Sequence, residues 1–221
     1  MCGRFTLTDN GEQIPEQFQL SEIPEITPRY NIAPTQLVAT VSMNSKSEKR
    51  QFNWMRWGLI PSWAKDQKMG AKLINARVET VTEKPSFRQA IRQHRCLIIA
   101  DGFYEWQKQK DDKQPYYLHL ENHQPFGFAG LWQRWKSPEN QEIISCTILT
   151  TEADNQVRSI HHRQPIILSE NNYSQWLNPH LTKPQEILPL LTAQPRLNYY
   201  PVNPVVNNPR HEKADCIQEK G

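Results

Sequence analysis

Apolar and polar positions alternate in short blocks along this chain, and most apolar blocks are too short for helices. The order predicts a strand over Cys2 to Leu7, then a short helix through Phe18 capped by Thr8-Asp9-Asn10. Ser21 to Arg29 is proline-interrupted loop. Strands follow at Leu37–Val41 and Phe52–Leu59, split by a polar turn from Ser42 to Lys49. Trp63 to Leu73 reads as a lysine-rich loop, and Thr82 to Pro85 as the start of a helix with Phe87, Ala90 and Ile91 on one face. Arg95–Ala100, Phe103–Gln107, Tyr116–Leu120, Phe126–Trp132 and Ile143–Thr150 form a run of strands, with a charged hairpin tip at Lys108 to Lys113. Asp154 to Ile160 reads as a helix capped by Asp154, then Ile166–Leu168 as a strand. Asn172 to Leu177 and Gln185 to Leu191 read as helical, and Tyr199–Val202 as a last strand. No repeat or linker divides the chain. The pattern predicts an α+β, strand-rich single domain over 1–221, with a polar C-terminal segment, about 204–221, loosely held.

Composition sharpens this picture. Hydrophobic residues make up 37% of the 221, so the aromatics, seven each of Trp, Tyr and Phe, must supply much of the core. Seventeen prolines against eight glycines favour extended segments and fixed turns. No apolar run is long enough to span a bilayer, and no signal-peptide core is present, which predicts a cytoplasmic protein without membrane contact. Cys2, Cys96, Cys146 and Cys216 are too far apart in sequence for a metal motif, so neither a metal nor another cofactor is expected.

Charge is uneven. From Trp63 to Arg95 there are eight basic residues against Asp66, Glu79 and Glu83. A local basic region on a chain of net charge +3 points to an anionic partner or to a solvated face.

The chemistry gathers at the start. Loss of Met1 would leave Cys2 carrying both a free α-amine and a thiol, whose ordinary pKa values are roughly 7.7–8.0 and about 8.5. Modest tuning of these values would supply neutral amine and thiolate. Such an aminothiol condenses with an aldehyde and closes to a thiazolidine. Glu105 sits within Phe103-Tyr104-Glu105-Trp106, where it is either a desolvated proton donor or the solvent face of an alternating strand. His161 and His162 are proton exchangers or surface imidazoles. Asn75 can orient a neighbour by hydrogen bonds. Arg4, Arg77 and Arg163 can fork onto phosphates, and Trp57, Pro61 and Trp63 are rigid apolar pieces beside the basic stretch.

Six stretches, in order, are Met1-Cys2-Gly3-Arg4-Phe5, Arg29 to Thr35 (RYNIAPT), Trp57 to Trp63 (WGLIPSW), Ile74 to Thr80 (INARVET), Ala100 to Trp106 (ADGFYEW) and Ile160 to Pro165 (IHHRQP). Together they resemble the SRAP family of SOS-response-associated peptidases, understood as abasic-site processing proteins. The resemblance implies a compact domain with a positively charged DNA channel. It also implies that the exposed Cys2 amine attacks the aldehyde of an abasic site in single-stranded DNA, that its thiol closes a thiazolidine crosslink, and that the protein removes its own Met1. By motif position Asn75, Glu105 and His161 would join Cys2 in the active site. Arg4, Arg77 and Arg163 would contact the DNA backbone, with Pro34 and Trp63 stacking on or wedging the DNA. The family suggests a monomer. Gln164 and His162 depart from the family pattern. Ala64 offers no second aromatic beside Trp63. The rival readings are an N-terminal-nucleophile glutamine amidohydrolase built on Cys2, and a non-catalytic single-strand DNA-binding module.

Overall fold

The computed structural model describes residues 2–44, 47–110, 112–192 and 194–221. Twelve strands appear in chain order: β1 (Phe5–Leu7), β2 (Arg29–Ile32), β3 (Leu37–Met43), β4 (Arg50–Trp57), β5 (Asn75–Arg77), β6 (Arg95–Ala100), β7 (Gly102–Lys108), β8 (Lys113–Leu120), β9 (Phe126–Lys136), β10 (Glu142–Glu152), β11 (Arg163–Pro165) and β12 (Leu197–Pro201). Helices are few and short: α1 (Ile14–Phe18), α2 (Ala90–Gln93), α3 (Tyr173–Leu177) and α4 (Pro184–Ile187). The strand-rich α+β expectation holds.

One sheet runs β11-β10-β4-β3-β6-β9, and β9 pairs back with β10. Five strands therefore close into a barrel, which removes their free edges. The second sheet runs β12-β8-β7-β1-β2. It lies against the barrel through Phe5, whose ring is 5.0 Å from that of Trp57 and 5.8 Å from that of Phe128, both edge-on. Phe103 meets Phe128 at 5.9 Å in the same way. Period-2 alternation places Tyr104 on the opposite face of β7, where it packs with Tyr117, Val202, Val206 and Cys216. The second sheet is thus apolar on both sides. The segment 204–221, expected to be loose, covers its outer face: Cys216 is fully buried and Val202 bridges to Glu219.

Other differences from expectation have local causes. Thr8 and Asp9 do not cap a helix, because the buried Asp101 carboxylate takes them instead. It accepts from the Thr8 backbone N–H, from Thr8 Oγ1 at 2.7 Å and from the Asp9 N–H at 3.0 Å. The helix α1 begins only at Ile14, with Pro15 in its first turn. Asp154 does cap as expected, accepting from Gln156 N at 2.9 Å and Val157 N at 3.2 Å, but the residues beyond it make successive turns and no regular helix. The helix expected from Thr82 shrinks to α2, although Phe87, Ala90 and Ile91 are all buried. Part of the loop after Trp63 winds into a 3-10 helix over Gln67–Lys72. The strand expected at Ile166–Leu168 lies earlier, at β11, where Arg163 pairs with Glu152.

Two glycines are fixed by close approach. A Cβ on Gly102 would sit 2.1 Å from the Tyr117 hydroxyl. Gly58, at φ +121°, passes so near the Gly70 carbonyl that a Cβ would lie 2.6 Å from its oxygen. Both glycines belong to family-like stretches, and both shape the strand ends that carry the site.

Candidate functional site

The N-terminal residues reach the site on β1, which lies between β2 and β7. Cys2 is fully buried. Its carbonyl accepts a 2.7 Å hydrogen bond from Asn75 Nδ2. Asn75 opens β5, which pairs in parallel with β10 at Ile148. A short strand hydrogen-bonded to the barrel thereby holds the residues that lead into the second sheet.

Glu105 comes from β7, next to β1, and is 2% exposed. It shares a strand face with Phe103, so the alternation resolves toward burial. Burial pushes its carboxyl up from the ordinary carboxylate range. The Cys2 thiol is also pushed up, first by burial and then by the Glu105 carboxylate. Cys2 is thus buried and its surroundings favour the thiol over the thiolate, whereas the exposed amine that the resemblance implies belongs to a chain that has lost Met1. Met1, whose removal was expected, lies outside the described residues.

His161 follows the turns after Asp154 and is half-buried. Its Nδ1 accepts the Arg163 backbone N–H at 3.0 Å. The same Nδ1 lies 3.0 Å from the Arg163 carbonyl, so both main-chain groups of Arg163 hold the ring in place. The His162 ring stacks on it, centroids 4.4 Å apart at 27°. Burial first depresses the His161 pKa, and His161 first depresses that of the exposed His162. Glu105 feels His162 electrostatically, which links the imidazole pair to the Cys2 side of the site.

The three arginines part company. Arg77 ends β5 and is exposed, in a cleft of about 500 Å³ shared with Glu152, Arg158, His162 and Arg163. Arg163 is 7% exposed and forks onto Glu79, Nη1 to Oε1 at 2.7 Å and Nη2 to Oε2 at 3.0 Å. Its Nη2 also donates to the Thr150 carbonyl at 2.8 Å. In turn, that fork holds the Glu79 carboxylate below its usual range. Arg4 donates from Nη1 to Asn31 Oδ1 at 2.7 Å and to the Val206 carbonyl at 2.9 Å. Arg4 and Arg163, expected as phosphate contacts, hydrogen-bond within the protein, and of the three Arg77 is exposed, Arg4 half-buried and Arg163 buried.

Pro34 is half-buried and precedes Thr35, which adopts φ +73°, a left-handed conformation costly for a β-branched residue. The Thr35 N–H donates to the Trp57 carbonyl at 2.8 Å, which holds this turn against β4. Trp63 is 57% exposed. Sequence reasoning missed three residues. Glu79 lies inside INARVET, Asn31 inside RYNIAPT, and Arg158 in a turn without a motif.

Cys2 is buried, its carbonyl gripped by the Asn75 amide with the desolvated Glu105 carboxyl beside it, and the exposed ring of the His161–His162 pair shares a cleft with Arg77. Residues 1–209 match the SOS response associated peptidase (SRAP) family, and the chain belongs to it. Among its relatives, the abasic site processing protein YoqW of Bacillus subtilis (strain 168) is 42% identical over 224 residues, covering 99% of each chain. The abasic site processing protein HMCES of Xenopus tropicalis is 32% identical over 197 residues, which cover 79% of this chain and 59% of that one. A crystal structure of a protein from Bacteroides thetaiotaomicron superposes with a TM-score of 0.85 at 25% identity, covering 99% of this chain and all of the other. Among the described residues, no helix is long and apolar enough to cross a membrane.

Proposed function

We propose that this chain processes abasic sites in DNA, trapping the ring-opened aldehyde covalently through Cys2. The observation that carries the reading is the 2.7 Å grip of Asn75 Nδ2 on the Cys2 carbonyl, beside the buried Glu105. That grip fixes the one residue whose amine and sulfur must both reach the same carbon.

The steps balance. Removal of Met1 by the protein frees the Cys2 amine. Glu105, kept protonated by burial, donates to the sugar ring oxygen as the C1′–O4′ bond breaks, and the C1′ hydroxyl gives its proton to solvent, leaving the aldehyde. The amine nitrogen adds to C1′, water leaves, and an imine forms. The Cys2 sulfur then adds to the imine carbon while its proton passes to the nitrogen, closing a thiazolidine. A raised thiol pKa suits this order, since the sulfur stays protonated until the imine stands beside it. His161, held by the main chain of Arg163, is placed as the acid/base that holds the opened sugar's hydroxyl and serves reversal. Single-stranded DNA is the favoured substrate form, because an unstacked sugar reaches a buried residue at the lowest cost. Pro34 and Trp63 supply apolar surfaces for neighbouring bases, and Arg77 a contact to the backbone.

The test is incubation with a single-stranded oligonucleotide bearing one abasic site, followed by heating in denaturant and electrophoresis, with intact mass to score Met1. A heat-stable adduct is expected from the wild type and none from Cys2→Ala. An adduct that persists in Cys2→Ala, or none from wild-type chain lacking Met1, would sink the mechanism.

A further inference from the structure

His162 is not needed for the chemistry above, yet it holds a distinctive place. It stacks on His161 at 4.4 Å, its outer side is exposed, and it lines the cleft of about 500 Å³ with Arg77 and Arg158. The charged groups around the pair come from several elements. Arg77 faces it from β5, Glu152 from the end of β10, Arg158 from the turn before it, and Arg163 from β11. Lys113 acts on His161 from β8, and Glu105 senses His162 from β7. Arg163 is offset by its fork onto Glu79, so the unpaired local field is that of Arg77 and Arg158 against Glu152.

We propose that His162 is a proton-linked phosphate ligand: a DNA phosphate entering the Arg77–Arg158 cleft charges the stacked imidazole pair with one proton, and so loads His161 for its role as an acid. The inference rests on the DNA-processing reading and deepens it. Two rings this close cannot both hold a charge, so the pair accepts a single proton shared between an exposed and a half-buried ring. In the free protein the neighbouring arginines oppose even that one. The single negative charge of a phosphodiester between the guanidinium groups offsets the local positive potential, and an imidazolium N–H then donates a charge-assisted bond to the phosphate oxygen. The proton comes from solvent through the exposed ring, and it arrives only when substrate is present.

The experiment uses the full chain with Cys2→Ala, so that binding is reversible, and a plain single-stranded oligonucleotide without a lesion. Calorimetric titration at pH 7 in buffers of different ionisation heat reads the protons taken up per complex. The expected result is net uptake approaching one proton, with affinity falling about threefold to tenfold per pH unit as pH rises from 6 to 8, as linkage requires. His162→Gln should lose most of the uptake, although the terminal amine remains. His162→Arg, which fixes a charge there, should bind with affinity at least equal to its parent and without the pH slope. DNA binding with no proton uptake, or uptake unchanged in His162→Gln, overturns this inference and leaves the covalent reading standing. No DNA binding at any pH overturns both.

Discussion

Cys2 and Glu105 on one side, and Arg77 and His162 on the other, work by opposite physics within one site. The first pair is dry. Burial raises the carboxyl and the thiol together, which favours the protonated form of each. The second pair is wet. Arg77 and His162 are exposed, act at a distance, and are screened by salt. Where desolvation sets protonation, a change of one atom alters chemistry. Where solvent screens, a change of one charge alters capture.

Breaking the dry side gives the largest effect. Glu105→Gln keeps the shape and removes the donated proton. Adduct formation should slow by about 10²–10⁴-fold, the usual range for a positioned acid, while DNA affinity stays within about twofold. The sign of the linkage is also fixed. The folded-state pKa is raised, so the folded chain binds more protons than the unfolded one above the ordinary carboxylate range, and Glu105 costs stability as pH rises. Glu105→Gln should therefore lose less stability than wild type between pH 5 and 9 in thermal melts. A variant that is slow and also more pH-labile would contradict the assignment.

The border between the two sides comes next. Arg163→Ala strips Glu79 and the Thr150 carbonyl of a charged donor, a loss of about 2–3 kcal/mol by the usual worth of such bonds. Chemical denaturation should show it, and Glu79→Gln should recover little. If Arg163→Ala instead folds with full stability and only weakens DNA binding, Arg163 belongs on the wet side.

The smallest effect is on the wet side itself. Arg77→Ala should weaken oligonucleotide binding by about threefold to tenfold at low salt. It should also reduce the salt dependence by roughly one counterion, with the difference fading as salt rises. A salt-independent loss would mean that Arg77 shapes the site and does not simply attract DNA.

The same division decides how much the amino-acid sequence could reveal. Glu105 and Asn75 were legible because each stands in a short apolar or strand-like setting where a polar side chain needs a partner. The strands from Arg95 to Thr150 were legible because their apolar runs are continuous. The protein acceptors of Arg4 and Arg163 were not, since a guanidinium looks alike in sequence whatever it meets. Arg4 finds its acceptor at Val206, 202 residues away, which no local pattern announces. The same limit applies to Thr8 and Asp9, whose helix-capping chemistry is diverted by Asp101, itself 93 positions beyond Thr8.

Asn31 accepts from Arg4 and donates to the carbonyls of Val206, Asn208 and His211. Arg4 stands two residues from Cys2, so one buried amide ties the backbone that leads into β1 to a stretch about two hundred positions away. A cut or substitution that frees residues 206–211 therefore loosens the anchor beside the reactive residue without removing any group that takes part in the reaction.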